Sequence, residues 1–160
     1  MYKIIKRNKK FMSLIVFSFC MILSTSNIWA GPIEESIQMV QDWMKAFKEG
    51  NAEALSNLFA KDGIYISWAG PFPAVGREAI RGVFEGFFRM YPIRLLFLRD
   101  ESRQVYGDTV IYNCNWTFIY GDGKGPIKTV YGRTSSANAV VEGKRVLLLQ
   151  DTSLLPVAGP

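Results

Sequence analysis

Residues 109–156 constrain the fold most strongly, because they contain three long strand-like runs joined by two glycine-containing turn signals. Within residues 109–120, apolar and aromatic side chains occupy the even positions, and mostly polar side chains occupy the odd ones. Such alternation predicts a β-strand with one packed face and one polar face. A glycine-rich loop at residues 121–125 and a Glu142-Gly143 turn then lead into two more strands. We therefore expect an antiparallel ribbon, with a central strand at residues 146–149.

The residues before this ribbon read as helices and short strands. Pro32 suits the first turn of a helix that ends at Gly50, and Asn51 is positioned to cap a second, short helix. The expected apolar face of the first helix consists of Ile33, Ile37, Val40, Met44 and Phe47. A strand at residues 64–68 and a helix at residues 76–90 follow. Residues 93–98 and 102–106 read as two further strands.

Two glycines interrupt the helix that is predicted at residues 76–90. Gly82 and Gly86 either weaken this helix or allow a strand or a ligand to approach it closely.

Helices that precede a run of antiparallel strands are typical of the α+β class. We expect a curved antiparallel sheet that wraps around the N-terminal helices and forms a cone with a central pocket. The aromatic face of the sheet and the first and third helices are expected to line this pocket.

Residues 1–30 have the composition of a secretory signal peptide. A basic start without acidic residues precedes an apolar run at residues 11–23, and Ala30 is a small residue at the expected exit. This run is shorter than the roughly 20 residues of a membrane span. We therefore expect a bacterial protein that is exported to the periplasm or secreted, with a single domain at residues 31–160. An uncleaved membrane anchor is the alternative.

The basic residues of this N-terminal segment account for the net charge of +5. Without them the chain is formally neutral, so we expect no nucleic-acid partner. After signal removal we also expect no association with a membrane.

Two residue counts restrict the chemistry. The chain contains no histidine, which excludes histidine-based triads, histidine metal ligands and imidazole acid–base catalysis. Cys114 is the only cysteine after residue 30 and lies among apolar strand residues, so a small buried hydrophobe is expected and a reactive thiol is the alternative. The sequence contains no metal-ligand cluster or glycine-rich phosphate loop, and we expect neither a metal site nor a cofactor.

Asp151 is the candidate catalytic residue, because a carboxylate at a strand end beside a pocket suits acid–base chemistry. The alternative is a structural carboxylate that bonds backbone or pairs with Arg133. Arg133 is a candidate ligand-binding residue, because a guanidinium group binds anions through paired hydrogen bonds. Alternatively, it bonds a neighbouring carboxylate.

Four aromatic residues are further candidates for ligand binding, since aromatic side chains that line a pocket stack on flat ligands. The alternative is that they belong to the core. These residues are Tyr65, Trp68, Tyr112 and Trp116.

Several local phrases resemble the SnoaL-like family of the nuclear transport factor 2 superfamily. They are WMKAFKEGNAEAL at residues 43–55, VGREAI at 75–80, YGR at 131–133 and LQDTSLLP at 149–156. The chain looks most similar to the branch that includes the calmodulin-dependent kinase II association domain and small secreted bacterial proteins. The resemblance covers residues 33–156 and implies the cone-shaped fold. It implies no particular activity, because the superfamily includes isomerases, cyclases, dehydratases, transport adaptors and assembly modules.

The resemblance does not carry a known active site onto this chain. The general base of ketosteroid isomerases falls at Ser67 here, and their oxyanion-hole tyrosine falls at Trp43. Relatives often carry a histidine just before the final serine–proline motif, whereas this chain has Gln150 and Asp151 at those positions.

The sequence thus predicts an exported domain that binds a small, mostly apolar molecule in its conical pocket, and isomerase-, cyclase- or hydratase-type acid–base activity stays open. The alternative is a non-catalytic domain that forms homodimers or serves as an accessory part of a periplasmic system. The polar face around Asn113, Asn115 and Thr117 is the expected interface for a homodimer.

Overall fold

The computed structural model describes residues 31–156, and the predicted signal peptide at residues 1–30 lies outside them. Three helices and six strands confirm the predicted α+β class. In chain order they are α1 (Pro32–Glu49), α2 (Ala52–Asn57), β1 (Phe59–Ile66), β2 (Ala74–Val75), α3 (Arg77–Met90), β3 (Ile93–Tyr106), β4 (Thr109–Gly121), β5 (Lys128–Val141) and β6 (Lys144–Leu154). None of the helices within residues 31–156 is long and apolar enough to cross a membrane.

The six strands form one curved sheet in the order β2-β1-β6-β5-β4-β3. Neighbouring strands are antiparallel except β1 and β6, which are parallel. The sheet was expected to be antiparallel throughout, and this pair differs from that prediction. A parallel pair needs a long connection, and the chain from β2 to β5 separates these two strands. As predicted for the last strand, β6 is central and lies between β1 and β5.

Strand β4 confirms the predicted alternation. Its even-numbered side chains from Val110 to Phe118 are buried, whereas its odd-numbered side chains are partly exposed. We call the buried side of the sheet the inner face and the opposite side the outer face. Helices α1 and α3 contribute to the core on the inner face, where Phe47 packs against Phe118 and Tyr65 stacks on Phe84.

Helix α1 begins and ends as predicted, but its buried face is rotated. Ile33 and Ile37 are exposed, and Ser36 is buried in their place. The Asn138 side chain donates a hydrogen bond to Ser36 Oγ at 3.4 Å, and Arg145 pairs with Glu35 at 2.8 Å. These polar contacts with β5 and β6 hold the first turns of the helix in this orientation.

Two irregularities in the strands differ from the prediction. The strands expected at residues 93–98 and 102–106 are one strand, β3, with a register shift between Arg99 and Ser102. Asp100 has a φ of 52° at this bulge. Strand β1 begins at Phe59, before the strand expected at residues 64–68, and shifts register between Phe59 and Ile64. Bulges of this kind bend a strand and increase its twist, which fits the curvature of the sheet.

We expect alanine substitutions at Gly82 and Gly86 to stabilise the domain. A Cβ atom added at either position would meet no atom within 4 Å in the described part of the chain, so these glycines serve no close approach there. Each substitution should raise the free energy of unfolding by up to about 1 kcal/mol, because alanine restricts the unfolded chain and favours a helix. Urea denaturation measures the change.

Gly76→Ala provides the matched control. Gly76 has a φ of 82°, and its added Cβ would lie 3.1 Å from the Lys61 carbonyl oxygen, so this variant should lose stability. A loss of stability in Gly82→Ala would contradict the interpretation that Gly82 serves no close approach in α3.

Candidate functional site

A cavity of about 80 Å³ lies between α1, α3 and the inner face of the sheet. Its lining side chains are apolar, aromatic or uncharged polar groups, and none of those from residues 31–156 carries a charge. They are Met39, Val40, Trp43, Phe47, Tyr65, Ser67, Trp68, Val83, Phe84, Phe87, Leu96, Leu98, Tyr112, Cys114, Trp116, Phe118, Thr134, Ser136, Leu147, Gln150 and Thr152. All four predicted aromatic residues therefore lie at one cavity.

The position of Trp116 is determined by its neighbours on β5. Its indole ring lies against Gly132, the residue directly opposite in the sheet, and a Cβ atom at Gly132 would overlap the ring. The indole N–H donates a hydrogen bond to Thr134 Oγ1 at 3.1 Å. Trp68 packs against Trp116 with a distance of 6.5 Å between ring centroids. The two tryptophans together form a fixed part of the cavity wall.

Tyr65 lies deep in the cavity wall and stays protonated. Burial raises the pKa of Tyr65, and hydrogen bonds with the side chains of Ser67 and Thr152 only partly offset this effect. Thr152 also accepts a hydrogen bond from the Trp68 backbone N–H at 3.2 Å and donates one to the Ile66 carbonyl at 3.1 Å. These bonds fix the loop that follows β1.

Tyr112 connects the cavity to charged residues at the bulge of β3. Its hydroxyl donates to Glu101 Oε2 at 3.0 Å, and the Arg103 guanidinium lies 4.6 Å from the centre of its ring. Arg103 also pairs with Glu101 at 3.1 Å. Burial is the main cause that raises the pKa of Tyr112, followed by Cys114 and Glu101. Glu101 and Arg103 were not predicted as site residues, because the bulge that positions them has no local signal in the sequence.

Cys114 is buried beside Tyr112, as predicted for a small apolar residue. Burial is the main cause that raises the pKa of its thiol. The thiolate form is therefore disfavoured, and no neighbouring cation counteracts this effect among the causes that act on this thiol.

The structure places Asp151 and Arg133 away from the cavity. Both are exposed on the outer face, in a polar depression that also contains Asp100, Asn113 and Asn115. Arg133 donates a hydrogen bond to Ser153 Oγ at 3.2 Å, and the described residues include no ion pair between Arg133 and Asp151. The structure thus separates these two candidates from the four aromatic ones, and the catalytic role of Asp151 stays a prediction.

The SnoaL-like domain model matches residues 40–147, which is more than half of the chain. This chain belongs to the SnoaL-like domain family. The match confirms the family that the local sequence segments indicated. No curated protein matches this SnoaL-like domain.

Solved structures of other proteins share the fold. One from Xanthomonas campestris, provisionally assigned as a calcium/calmodulin-dependent protein kinase II association domain, has a TM-score of 0.70 and 21% identity over 78% of this chain and 89% of its own. One from Streptomyces avermitilis, provisionally assigned as a dehydratase of the NTF2-like family, has a TM-score of 0.69 and 17% identity over 78% and 97%.

A third structure, an NTF2-like protein with a cystatin-like fold from Novosphingobium aromaticivorans, has a TM-score of 0.68 and 20% identity over 85% of this chain and 90% of its own. At these identities the similarities establish the fold of the SnoaL-like domain and not its activity.

Gln150 and Trp43 are among the cavity residues that were not predicted as site residues. Gln150 is only 6% exposed and lines the cavity, whereas Asp151, the next residue of β6, is exposed on the outer face. Trp43 of α1 also lines the cavity. The alternation of β6 was the available signal for Gln150, because the buried Thr152 lies two positions further along the strand. Within residues 31–156, no group of three or more cysteine, aspartate or glutamate side chains is arranged to hold a metal ion.

We expect the free energy of unfolding to decrease as the pH rises above about 9. Burial raises the pKa of Cys114, Tyr65 and Tyr112 in the folded domain, relative to 9.0 for a thiol and 10.0 for a phenol. The unfolded chain loses these protons at a lower pH than the folded domain, so alkaline pH favours unfolding. The stabilisation is complete below pH 9.0 and is lost as the pH rises further.

Urea denaturation at neutral pH and at intervals above pH 9.0 measures this loss. In Cys114→Ala the decrease should begin nearer pH 10.0, where the tyrosines of the unfolded chain titrate. Constant stability of the unmodified protein through this range would contradict the prediction.

Proposed function

We propose that this SnoaL-like domain binds a small, uncharged and mostly apolar molecule in the cavity between α1, α3 and the sheet. The uncharged lining of the cavity is the observation that carries this proposal. A charged ligand would lose its hydration without gaining an ion pair there, which is costly. A concave, mostly apolar site with a few polar groups is the usual form of a small-molecule site.

The lining of the cavity supports binding better than acid–base catalysis. Efficient acid–base catalysis needs a group with a pKa near the working pH. The pKa values of the three titratable groups at the cavity, Tyr65, Tyr112 and Cys114, are all raised further above neutrality. A dehydratase is the enzymatic alternative, because a similar structure from Streptomyces avermitilis has that provisional assignment.

Export is also part of the proposal. The basic start and apolar run within residues 1–30 support a secretory signal peptide. The N-terminal sequence of the protein recovered outside the cytoplasm would test this point, and a start near residue 31 is expected. An N-terminus that still includes residues 1–30 would support the membrane anchor instead.

We predict that small uncharged fragments bind the cavity and quench the fluorescence of its tryptophans. Trp43, Trp68 and Trp116 all line the cavity, so they report on its occupancy. Cys114→Met should weaken binding by about tenfold or more, because the longer side chain extends into the cavity. Fluorescence titration measures the affinity, and thermal denaturation shows whether the variant is folded.

Asp151→Asn is the matched control, because Asp151 is exposed on the outer face. Unchanged binding in this variant is expected. Weaker binding in Asp151→Asn, or turnover that this variant loses, would support the catalytic role predicted for Asp151. Equal affinities in Cys114→Met and the unmodified protein would contradict the location of the site.

We also propose that two copies of the domain associate through the outer face, and two observations support this second role. Leu95, Phe97 and Tyr131 are exposed there, and Phe97 and Tyr131 flank Thr117 on neighbouring strands. Exposed apolar side chains that cluster in this way favour an interaction site. Arg133 and Asp151 lie in the same region and have opposite charges, so a two-fold arrangement lets each arginine face the aspartate of the other copy.

Sedimentation of the protein tests the association, and a dimer is expected at high protein concentration. Phe97→Asp should shift the population towards monomers, because it places a charge in the apolar part of the interface. Phe72→Asp is the control, since Phe72 is 81% exposed in the loop between β1 and β2 and lies outside the sheet strands. A strictly monomeric protein at high concentration would contradict this proposal and leave the binding proposal intact.

A further inference from the structure

Two buried polar atoms of the cavity wall have no hydrogen-bond partner among residues 31–156. They are the side-chain oxygen Oε1 of Gln150 and the indole nitrogen Nε1 of Trp43. Both residues line the same cavity, and 94% of the Gln150 surface is buried, since the residue is 6% exposed. Buried polar atoms without a partner are rare in folded proteins, so each of them calls for an explanation.

Several other polar groups of the cavity already have partners within the fold. The indole N–H of Trp116 donates to Thr134, and Thr152 both accepts and donates a hydrogen bond. Gln150 Oε1 and Trp43 Nε1 are, in contrast, an acceptor and a donor without a partner among residues 31–156. A ligand that pairs with both atoms would be selected by its polar group.

We propose that the ligand is a short aliphatic alcohol, an inference that rests on the binding function proposed above. Its hydroxyl donates to Gln150 Oε1, and its oxygen accepts from Trp43 Nε1. A hydroxyl group is both a donor and an acceptor without carrying a charge, whereas a carbonyl or ether oxygen only accepts. A carboxylate cannot donate to Gln150 and would bring an uncompensated charge into the uncharged cavity.

The size of the cavity favours an aliphatic chain of a few carbon atoms. Its volume of about 80 Å³ is roughly half that of a 150 Å³ cavity known to hold benzene in another protein. Trp116 and Trp68 hold the wall of the cavity in place, so the ligand has to be small. A short aliphatic chain can change its conformation to fit beside the apolar side chains, which a rigid aromatic ring cannot.

The isomers 1-butanol and diethyl ether test the inference, because they have the same atoms and only the alcohol donates a hydrogen bond. Titrations followed by the indole N–H resonances in ¹H–¹⁵N NMR spectra measure both affinities. We expect the alcohol to bind about three- to tenfold more tightly than the ether, as for one neutral hydrogen bond. The Trp43 resonance should shift with both ligands. Its loss in Trp43→Phe should assign it, and this variant should bind both ligands more weakly.

Gln150→Leu should abolish the preference for 1-butanol and leave the affinity for the ether largely unchanged. Gln41→Leu is the matched control, because Gln41 is exposed on α1, and it should keep the preference. If Gln150→Leu does not fold, Gln150→Met removes the same acceptor with an unbranched side chain.

Three results would overturn the inference while the proposed binding function stands. They are equal affinities for the two isomers, a preference for the alcohol that persists without Gln150, and binding of butyrate as tight as that of 1-butanol. If neither isomer binds and no other uncharged fragment binds, both the inference and the proposed function fail.

Discussion

The contact between the Trp116 ring and the backbone of Gly132 is the constraint on which the cavity depends. The two residues face each other on β4 and β5, and any side chain at position 132 would overlap the indole ring. The hydrogen bond to Thr134 fixes the orientation of the ring, and Trp68 packs against it. The absence of a single Cβ atom thus lets a large side chain lie flat on the sheet and form a defined wall.

Alternation along the strands separates the two proposed roles of the domain. Successive side chains of a strand point to opposite faces, so Gln150 lines the cavity while Asp151 is exposed on the outer face. The inner face combines apolar packing with uncharged polar groups, and the outer face carries Arg133 and Asp151. The proposed binding in the cavity and the proposed association through the outer face therefore involve different side chains of the same strands.

Much of the fold could be predicted from the sequence, because local patterns are enough to define most of the elements. The alternation in β4 and the end of α1 at Gly50 were predicted correctly. The rotation of α1 could not be predicted, because it depends on contacts of Glu35 and Ser36 with residues more than 100 positions away. The bulge at Asp100 was also missed, and with it the contacts that Glu101 and Arg103 make with Tyr112.

The sequence by itself determined the α+β class, the family and the absence of histidine chemistry, because these depend on periodicity, local phrases and composition. Only the tertiary structure decided which polar groups line the cavity and which of them lack a partner. The inward position of Gln150 depends on the register of β6 with β1 and β5. The cavity of about 80 Å³ depends on how the tryptophans pack. Register and packing arise from contacts between residues that are distant in the chain, so no local pattern in the sequence specifies them.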